Sequence, residues 1–205
     1  MKDFDVIENV LPQRYWAEIM GLVTHKEFPW NFFEDLTFRT ADTAVFKQNP
    51  EIMNSCGFSH LFFDEGRQSP YWQFIKPLMF SIAEKTKFRN ELRSVQPFRV
   101  KANLQTQVNS STVDNYNMPH IDPAHIKNGK TNWIFLYYVS DSDGDTFLFN
   151  ETTTDGFPPE KFTLKKRVPH KANSALVFKD NMYHASSNPV KDRKRININF
   201  NLLNG

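Results

Sequence analysis

From Phe98 to Val108 the chain alternates with a period of two. Phe98, Val100, Ala102, Leu104, Thr106 and Val108 stand against Arg99, Lys101, Asn103, Gln105 and Gln107. Successive strand side chains point to opposite faces, so this stretch predicts a strand of unusual length with one apolar and one polar face. Such a strand needs partners in a sheet and a second layer over its apolar side. The residues downstream supply the partners. Thr131 to Val139 is nearly continuous apolar and aromatic sequence, as a strand buried on both faces requires. Asp145 to Asn150, Phe162 to Val168, Ser174 to Phe178 and Arg195 to Leu203 also read as strands. Ser140 to Gly144 reads as a turn, Thr152 to Pro159 as a loop, and Ala172-Asn173 as a second turn. Many short strands between turn signals predict a mainly β fold, a sandwich or jelly roll.

The preceding residues are of a different kind. Leu11 to Val23 carries Tyr15, Trp16, Ile19, Met20 and Val23 at helical spacing, with Pro12 suited to the first turn. Ser69 to Lys85 is a second helix, with Ser69 as N-cap, Pro70 at the first position and an apolar stripe from Tyr71 to Ile82. Pro77 lies inside it and is expected to kink or divide it. Glu27 to Gly66 is irregular and aromatic, including Phe38 and Phe46, and predicts short strands and loops. We expect a single domain over 1–205, with N-terminal support in 1–96 and the β core in 97–205. A chain of 205 residues, 40% hydrophobic and with 20 phenylalanines, can bury a sizeable core.

Charge and cysteine usage exclude several classes. A net charge of +2 does not announce a nucleic-acid binder, and the runs Lys165-Lys166-Arg167 and Lys191 to Arg195 read as solvated faces. The lone Cys56 allows neither an internal disulfide nor a cysteine-based zinc site. No apolar run approaches the roughly 18 residues of a membrane span, and the first residues lack the apolar core of a secretory signal. A soluble cytoplasmic protein is expected.

The chemistry gathers in His120-Ile121-Asp122. On an extended segment these two outer residues point to one side and can grip one ion from adjacent corners. A third ligand from a distant strand would complete one face of an octahedron. Two imidazoles and a carboxylate, with three positions open, form the ligand set of non-haem Fe(II) oxygenases. His184, after the strand at Ser174, is the expected third ligand. His170 is its competitor, but stands one strand too early, while His125 should lie in the loop after the motif. A second triplet of the same type, His25-Lys26-Glu27, follows a helix and lacks strand context.

In Arg195 to Leu202, Ile196, Ile198, Phe200 and Leu202 face one way, and Arg195, Asn197, Asn199 and Asn201 the other. An edge strand with a wet face would give that pattern. Lysine and glutamate would suit water better, however, and a row of short amides under an arginine suits a cavity. Arginine grips a carboxylate with two parallel hydrogen bonds. Arg195, eleven residues beyond His184, is placed to hold the far end of a small dicarboxylate, with Arg193 as the alternative.

These pieces together resemble the Fe(II)/2-oxoglutarate-dependent dioxygenases, most closely the prolyl-4-hydroxylase-like branch. The matching stretches are Met118 to Asp122, Leu136 to Val139, Gly144 to Phe149, Leu176 to Phe178, Tyr183 to Ser186, Asn188-Pro189 and Arg195 to Ile198. The family often carries two glycines before the fourth core strand, where this chain has Gly144-Asp145. The resemblance implies a double-stranded β-helix, with His120, Asp122 and His184 binding Fe(II). It implies Arg195 on the distal carboxylate of 2-oxoglutarate, Tyr138 giving its hydroxyl to the same cosubstrate, and Asn199 adding a contact. With dioxygen, such a site hydroxylates an unactivated C–H bond. The substrate expected from the resemblance is a prolyl or other amino-acid side chain of a peptide or protein, or a small molecule; a nucleic acid is the less favoured reading. The rival readings are a cupin-like enzyme using another metal and a non-catalytic jelly-roll binding module. The loops Asp114 to Met118, Pro123 to Lys130 and Thr152 to Pro159 should line the mouth of the barrel.

Overall fold

The computed structural model describes residues 3–36, 49–53, 55–109, 111–122, 131–152 and 159–205. Phe38, Phe46, His125, the loop 123–130 and most of the loop 152–159 lie outside them.

In chain order the elements are β1 (Phe4–Ile7), α1 (Gln13–Thr24), β2 (Asn31–Phe33), β3 (Ile52–Met53), β4 (Gly57–Asp64), β5 (Arg67–Gln68) and α2 (Trp72–Lys85). Then follow β6 (Gln96–Thr106), β7 (Tyr116–Asn117), β8 (Trp133–Tyr138), β9 (Ser142–Thr152), β10 (Leu164–His170), β11 (Ser174–Lys179), β12 (Met182–Ser186) and β13 (Lys194–Leu203). The main sheet runs β1-β11-β8-β13-β6-β4-β2, with β5 beside β4, and the smaller sheet runs β10-β9-β12. A bridge between His120 and His184 adds the segment after β7 to the outer side of β12. From β6 onward the chain thus shuttles between two facing antiparallel layers, which is a jelly roll.

The faces explain the sequence patterns. On β8, Trp133, Phe135 and Tyr137 join α1 and α2 in one core, while Ile134, Leu136 and Tyr138 join Leu148, Leu176 and Phe178 between the sheets. A strand covered on both sides reads as unbroken apolar sequence. Ile19, Val23, Ile75, Leu78 and Ile82 lay the two helices on the main sheet. Trp16 Nε1 fixes α1 to the end of β8 by donating to the Val139 carbonyl at 2.8 Å.

β13 is not the wet edge strand that its amides permitted. It lies between β6 and β8, and Arg195 to Leu202 is buried throughout. Its apolar residues meet the helices and its polar residues look into the space between the sheets.

Two boundaries differ from expectation. β9 starts at Ser142, inside the stretch that reads as a turn. Gly144 belongs to that strand because nothing larger fits: a Cβ there would stand 2.7 Å from the Ser187 carbonyl oxygen and 3.0 Å from Arg195 Cδ. α2 begins at Trp72, because the Trp72 amide closes a tight turn on the Ser69 carbonyl and Ser69 Oγ accepts from the Tyr71 amide rather than from a deeper turn. Pro77 is accommodated without dividing the helix.

Candidate metal centre and its cavity

His120, Asp122 and His184 converge, each offering a ligand atom within 4.8 Å of the others. His184 reaches this point from β12, and His120 arrives beside it on the neighbouring segment. The two residues exchange backbone hydrogen bonds, His120 N to His184 O at 3.0 Å and His184 N to His120 O at 3.1 Å. Each ring is then fixed by a carbonyl two residues earlier: Nδ1 of His120 lies 3.1 Å from Met118 O, and Nδ1 of His184 lies 3.2 Å from Met182 O. A proton on each Nδ1 leaves both Nε2 atoms as lone-pair donors, which is how metal-binding imidazoles are oriented.

Burial, with His184 alongside, pushes His120 down to about 4, and burial also lowers His184. Both rings are neutral at physiological pH, the state in which imidazole ligates. Burial opposes the charge on Asp122, but His184, His120, Arg99 and Lys101 around it prevail and hold it well below the usual carboxylate range. The amides of Asn199 and Asn201 both donate to Asp122 Oδ2 at 3.0 Å, and Arg99 approaches Oδ1 at 3.4 Å.

This donor set fits a divalent ion. Neighbouring ligands on an ion with bonds of about 2.1 Å stand roughly 3 Å apart. His184 Nε2 and Asp122 Oδ2 are 3.8 Å apart, so a small closure of side chains brings them onto one cation. Two neutral nitrogens and one carboxylate suit Fe(II) and leave half of an octahedron free.

The metal cluster opens into a cavity that runs between the sheets to Arg195. Arg195 is 1% exposed, and among the described residues its guanidinium donates only to neutral acceptors. These are the Gly144 carbonyl (Nε, 2.9 Å), Gln105 Oε1 (2.8 Å) and Thr146 Oγ1 (2.9 Å). Burial lowers it to about 10, which leaves it cationic at neutral pH. Asp145 acts on this cation only from beyond ion-pair distance, and a buried cation without a direct ion pair is costly. With three of its five N–H groups used, the residue has donors left for an anion entering the cavity.

The other candidate residues fall as follows. Arg193 is exposed, unlike Arg195. Tyr138 is buried beside the arginine, with its hydroxyl 2.9 Å from the same Thr146 oxygen; burial raises it to about 12, so it stays a protonated donor. Asn199 lines the cavity, but its amide is spent on Asp122. His170 is buried on β10, where its Nε2 lies 3.1 Å from Ile196 O and its ring packs on Tyr138, apart from the metal cluster. His25 is exposed at the end of α1. The basic run 165–167 is divided: Lys165 pairs with Asp3, and Arg167 pairs with Asp145.

Sequence reasoning missed Lys101, Gln105, Thr146 and Asn201. The signal was present for those on β6: once its apolar face meets the helices, Arg99, Lys101, Asn103 and Gln105 must look between the sheets.

No protein-family model matches the sequence, and no curated protein matches it. Solved structures do. An oxidoreductase of the 2OG-Fe(II) oxygenase family from Burkholderia pseudomallei superposes with a TM-score of 0.65 at 13% identity, covering 99% of this chain and 87% of that one. A prolyl hydroxylase from Trichoplax adhaerens, in complex with a hypoxia-inducible-factor peptide fragment, gives 0.57 at 12% identity, covering 98% and 84%. The epimerase SnoN, in complex with Fe3+, alpha ketoglutarate and nogalamycin RO, gives 0.57 at 14% identity, covering 98% and 79%. At these identities the likeness is one of fold: the chain has the jelly roll of the 2-oxoglutarate–Fe(II) oxygenases.

Proposed function

We propose that this chain, built on the jelly roll of the 2-oxoglutarate–Fe(II) oxygenases, is itself an Fe(II)- and 2-oxoglutarate-dependent oxygenase that hydroxylates an unactivated C–H bond. One observation carries the reading. A two-histidine, one-aspartate cluster and a buried arginine, with no direct ion pair among the described residues, occupy opposite ends of a single cavity.

His120, Asp122 and His184 would hold Fe(II), with the three remaining positions for the cosubstrate and dioxygen. When bound, iron and 2-oxoglutarate supply the oxidation, releasing succinate and carbon dioxide. The protein supplies placement. Arg195 receives the distal carboxylate, pre-oriented by Gly144, Gln105 and Thr146. Tyr138 donates its one hydroxyl proton to Thr146, which lines the cavity and would present its own hydroxyl to the same carboxylate. Asn199 and Asn201 direct Asp122 at the ion, and the two apolar cores on either side of the sheet keep bulk water from the site. An amino-acid side chain of a peptide or protein is the substrate class we favour, in keeping with the prolyl hydroxylase among the structural neighbours.

Anaerobic titration with Fe(II) and then 2-oxoglutarate tests the proposal. A visible charge-transfer band should grow to one equivalent of each and be lost in Asp122→Ala. Metal uptake with no band and no effect of 2-oxoglutarate would favour a cupin-like enzyme. No stoichiometric uptake of iron or manganese would leave a binding module. Succinate release then screens candidate peptides and small molecules.

A further inference from the structure

The inward row of β6 faces the inward row of β13 in register: Gln105 opposite Arg195, Asn103 opposite Asn197, Lys101 opposite Asn199, and Arg99 opposite Asn201. Three members of the β6 row have partners. Gln105 accepts from Arg195, Asn103 donates to Asn197 at 3.0 Å, and Arg99 approaches Asp122. Lys101 has none: among the described residues its Nζ makes no hydrogen bond or ion pair, although the side chain lines the cavity together with His120 and His184. Asp122 does not serve it, because Asn199, Asn201 and Arg99 already occupy that carboxylate and the ion would take a further position on it.

Lysine ordinarily carries its charge out to water along a flexible stem. Here the half-buried side chain lines the cavity instead, and burial brings its amine down to about 8, so it is still mostly charged at neutral pH. Its level in the sheet is informative. Lys101 lies four residues along β6 from Gln105, roughly 13 Å at the rise of a strand, and beside Asn199, which touches Asp122. The cavity therefore carries a cation at its deep end, a second cation at its metal end, and a row of neutral amides between them. That is the complement of a linear dianion.

Resting on the 2-oxoglutarate reading above, we propose that Lys101 binds the carboxylate of 2-oxoglutarate that lies nearest the metal. The site then recognises both charges of the cosubstrate, Arg195 taking one and Lys101 the other. An ammonium–carboxylate hydrogen bond is charge-assisted and strengthened by exclusion of water. Selection of dicarboxylic over monocarboxylic 2-oxo acids stays with Arg195, because both kinds carry the carboxylate that Lys101 would hold.

Calorimetric titration of 2-oxoglutarate into Mn(II)-loaded protein, with no turnover, tests this. Lys101→Met should weaken 2-oxoglutarate binding about tenfold to a hundredfold. Lys101→Arg should recover most of that loss. The affinity for Mn(II) alone, and the thermal midpoint of the metal-free protein, should stay near the parent values in both variants. If the parent binds 2-oxoglutarate and Lys101→Met binds it equally well, Lys101 does not hold the cosubstrate and only this inference falls. It falls equally if Mn(II) affinity drops in step with 2-oxoglutarate affinity, which would make the lysine a support of the metal cluster. If the parent itself binds no 2-oxoglutarate, the underlying reading of the cavity fails, and this one with it.

Discussion

Asn199 and Asn201 bring two amides onto one oxygen of Asp122, and a hydrogen bond from Asn201 Nδ2 to Asn199 Oδ1 (2.9 Å) locks the pair together. Outer groups of this kind tune metal ligands, and their removal typically weakens metal binding tenfold to a hundredfold. Asn201 does not line the cavity, so it isolates that effect. Asn201→Ala should raise the Fe(II) dissociation constant about tenfold while leaving the KM for 2-oxoglutarate at saturating iron unchanged. Competition with a calibrated chelator reads the first and steady-state kinetics the second. The convergence of His120, Asp122 and His184 was legible in sequence because these are residue types that β cores rarely carry without cause. The partners were not. Asn199 reads from its facing direction as a contact to the cosubstrate, yet its nearest acid is Asp122, which lies 77 positions away in sequence. Lys101 and Gln105 looked like the wet half of an ordinary alternation, because no local pattern states what the polar face of a strand will meet.

Among the elements, β9 shows most clearly where local rules yield to packing. Asp141 to Gly144 has the composition of a turn, but Asp143 accepts from the amides of Val190, Lys191 and Asp192, and Gly144 fits under the Ser187 carbonyl. The crowding comes from residues more than forty positions distant, so no window of sequence reveals it. Gly144→Ala should be destabilised by about 2 kcal/mol through overpacking. It should also lose affinity for 2-oxoglutarate, since the new methyl meets Arg195. Urea unfolding and cosubstrate titration together check this. The strands β6, β8, β11 and β13 were legible because period and length agree with their burial. β1 was not, being four residues whose role is fixed from elsewhere: it pairs with β11, and Asp5 accepts from Thr86 Oγ1 and the Lys87 amide. In α2, exposed Pro77 removes an amide that would otherwise bond to the carbonyl of Gln73. Pro77→Ala should therefore stabilise the protein by roughly 2 kcal/mol, seen as a rise in the thermal midpoint.

Across the molecule, four histidine rings are held in the neutral state by burial. His120, His184, His170 and His60 are all pushed below the ordinary value of 6.5 by burial. Below that value the unfolded chain takes up protons that the folded chain refuses, so stability falls as the pH falls. For His120 alone the window is from about 6.5 to about 4, and full protonation of the unfolded state favours it by about 3 kcal/mol. The metal-free protein should thus lose several kcal/mol between pH 7 and pH 4.5. Replacing the fully buried His170 by glutamine should flatten part of that slope in denaturation curves taken across the range. The mainly β architecture was legible from the spacing of strands and turns, but the order of strands in the sheet was not, because pairing depends on which faces the helices cover.

That order carries a consequence for how the protein comes into being. β13 is seated between β6 and β8, with Arg195 joined to Gln105 across 90 positions of sequence and Asn199 to Asp122 across 77. Until so wide a circuit is closed, the anchor for the dianion and the amides that aim the carboxylate are both missing, and contacts of such range form slowly. A metal ion would accordingly meet a finished frame rather than serve as a template for it. Adding Mn(II) to the refolding chain should leave the rate at which tryptophan fluorescence recovers unaltered, while slowing the reverse reaction of the completed protein.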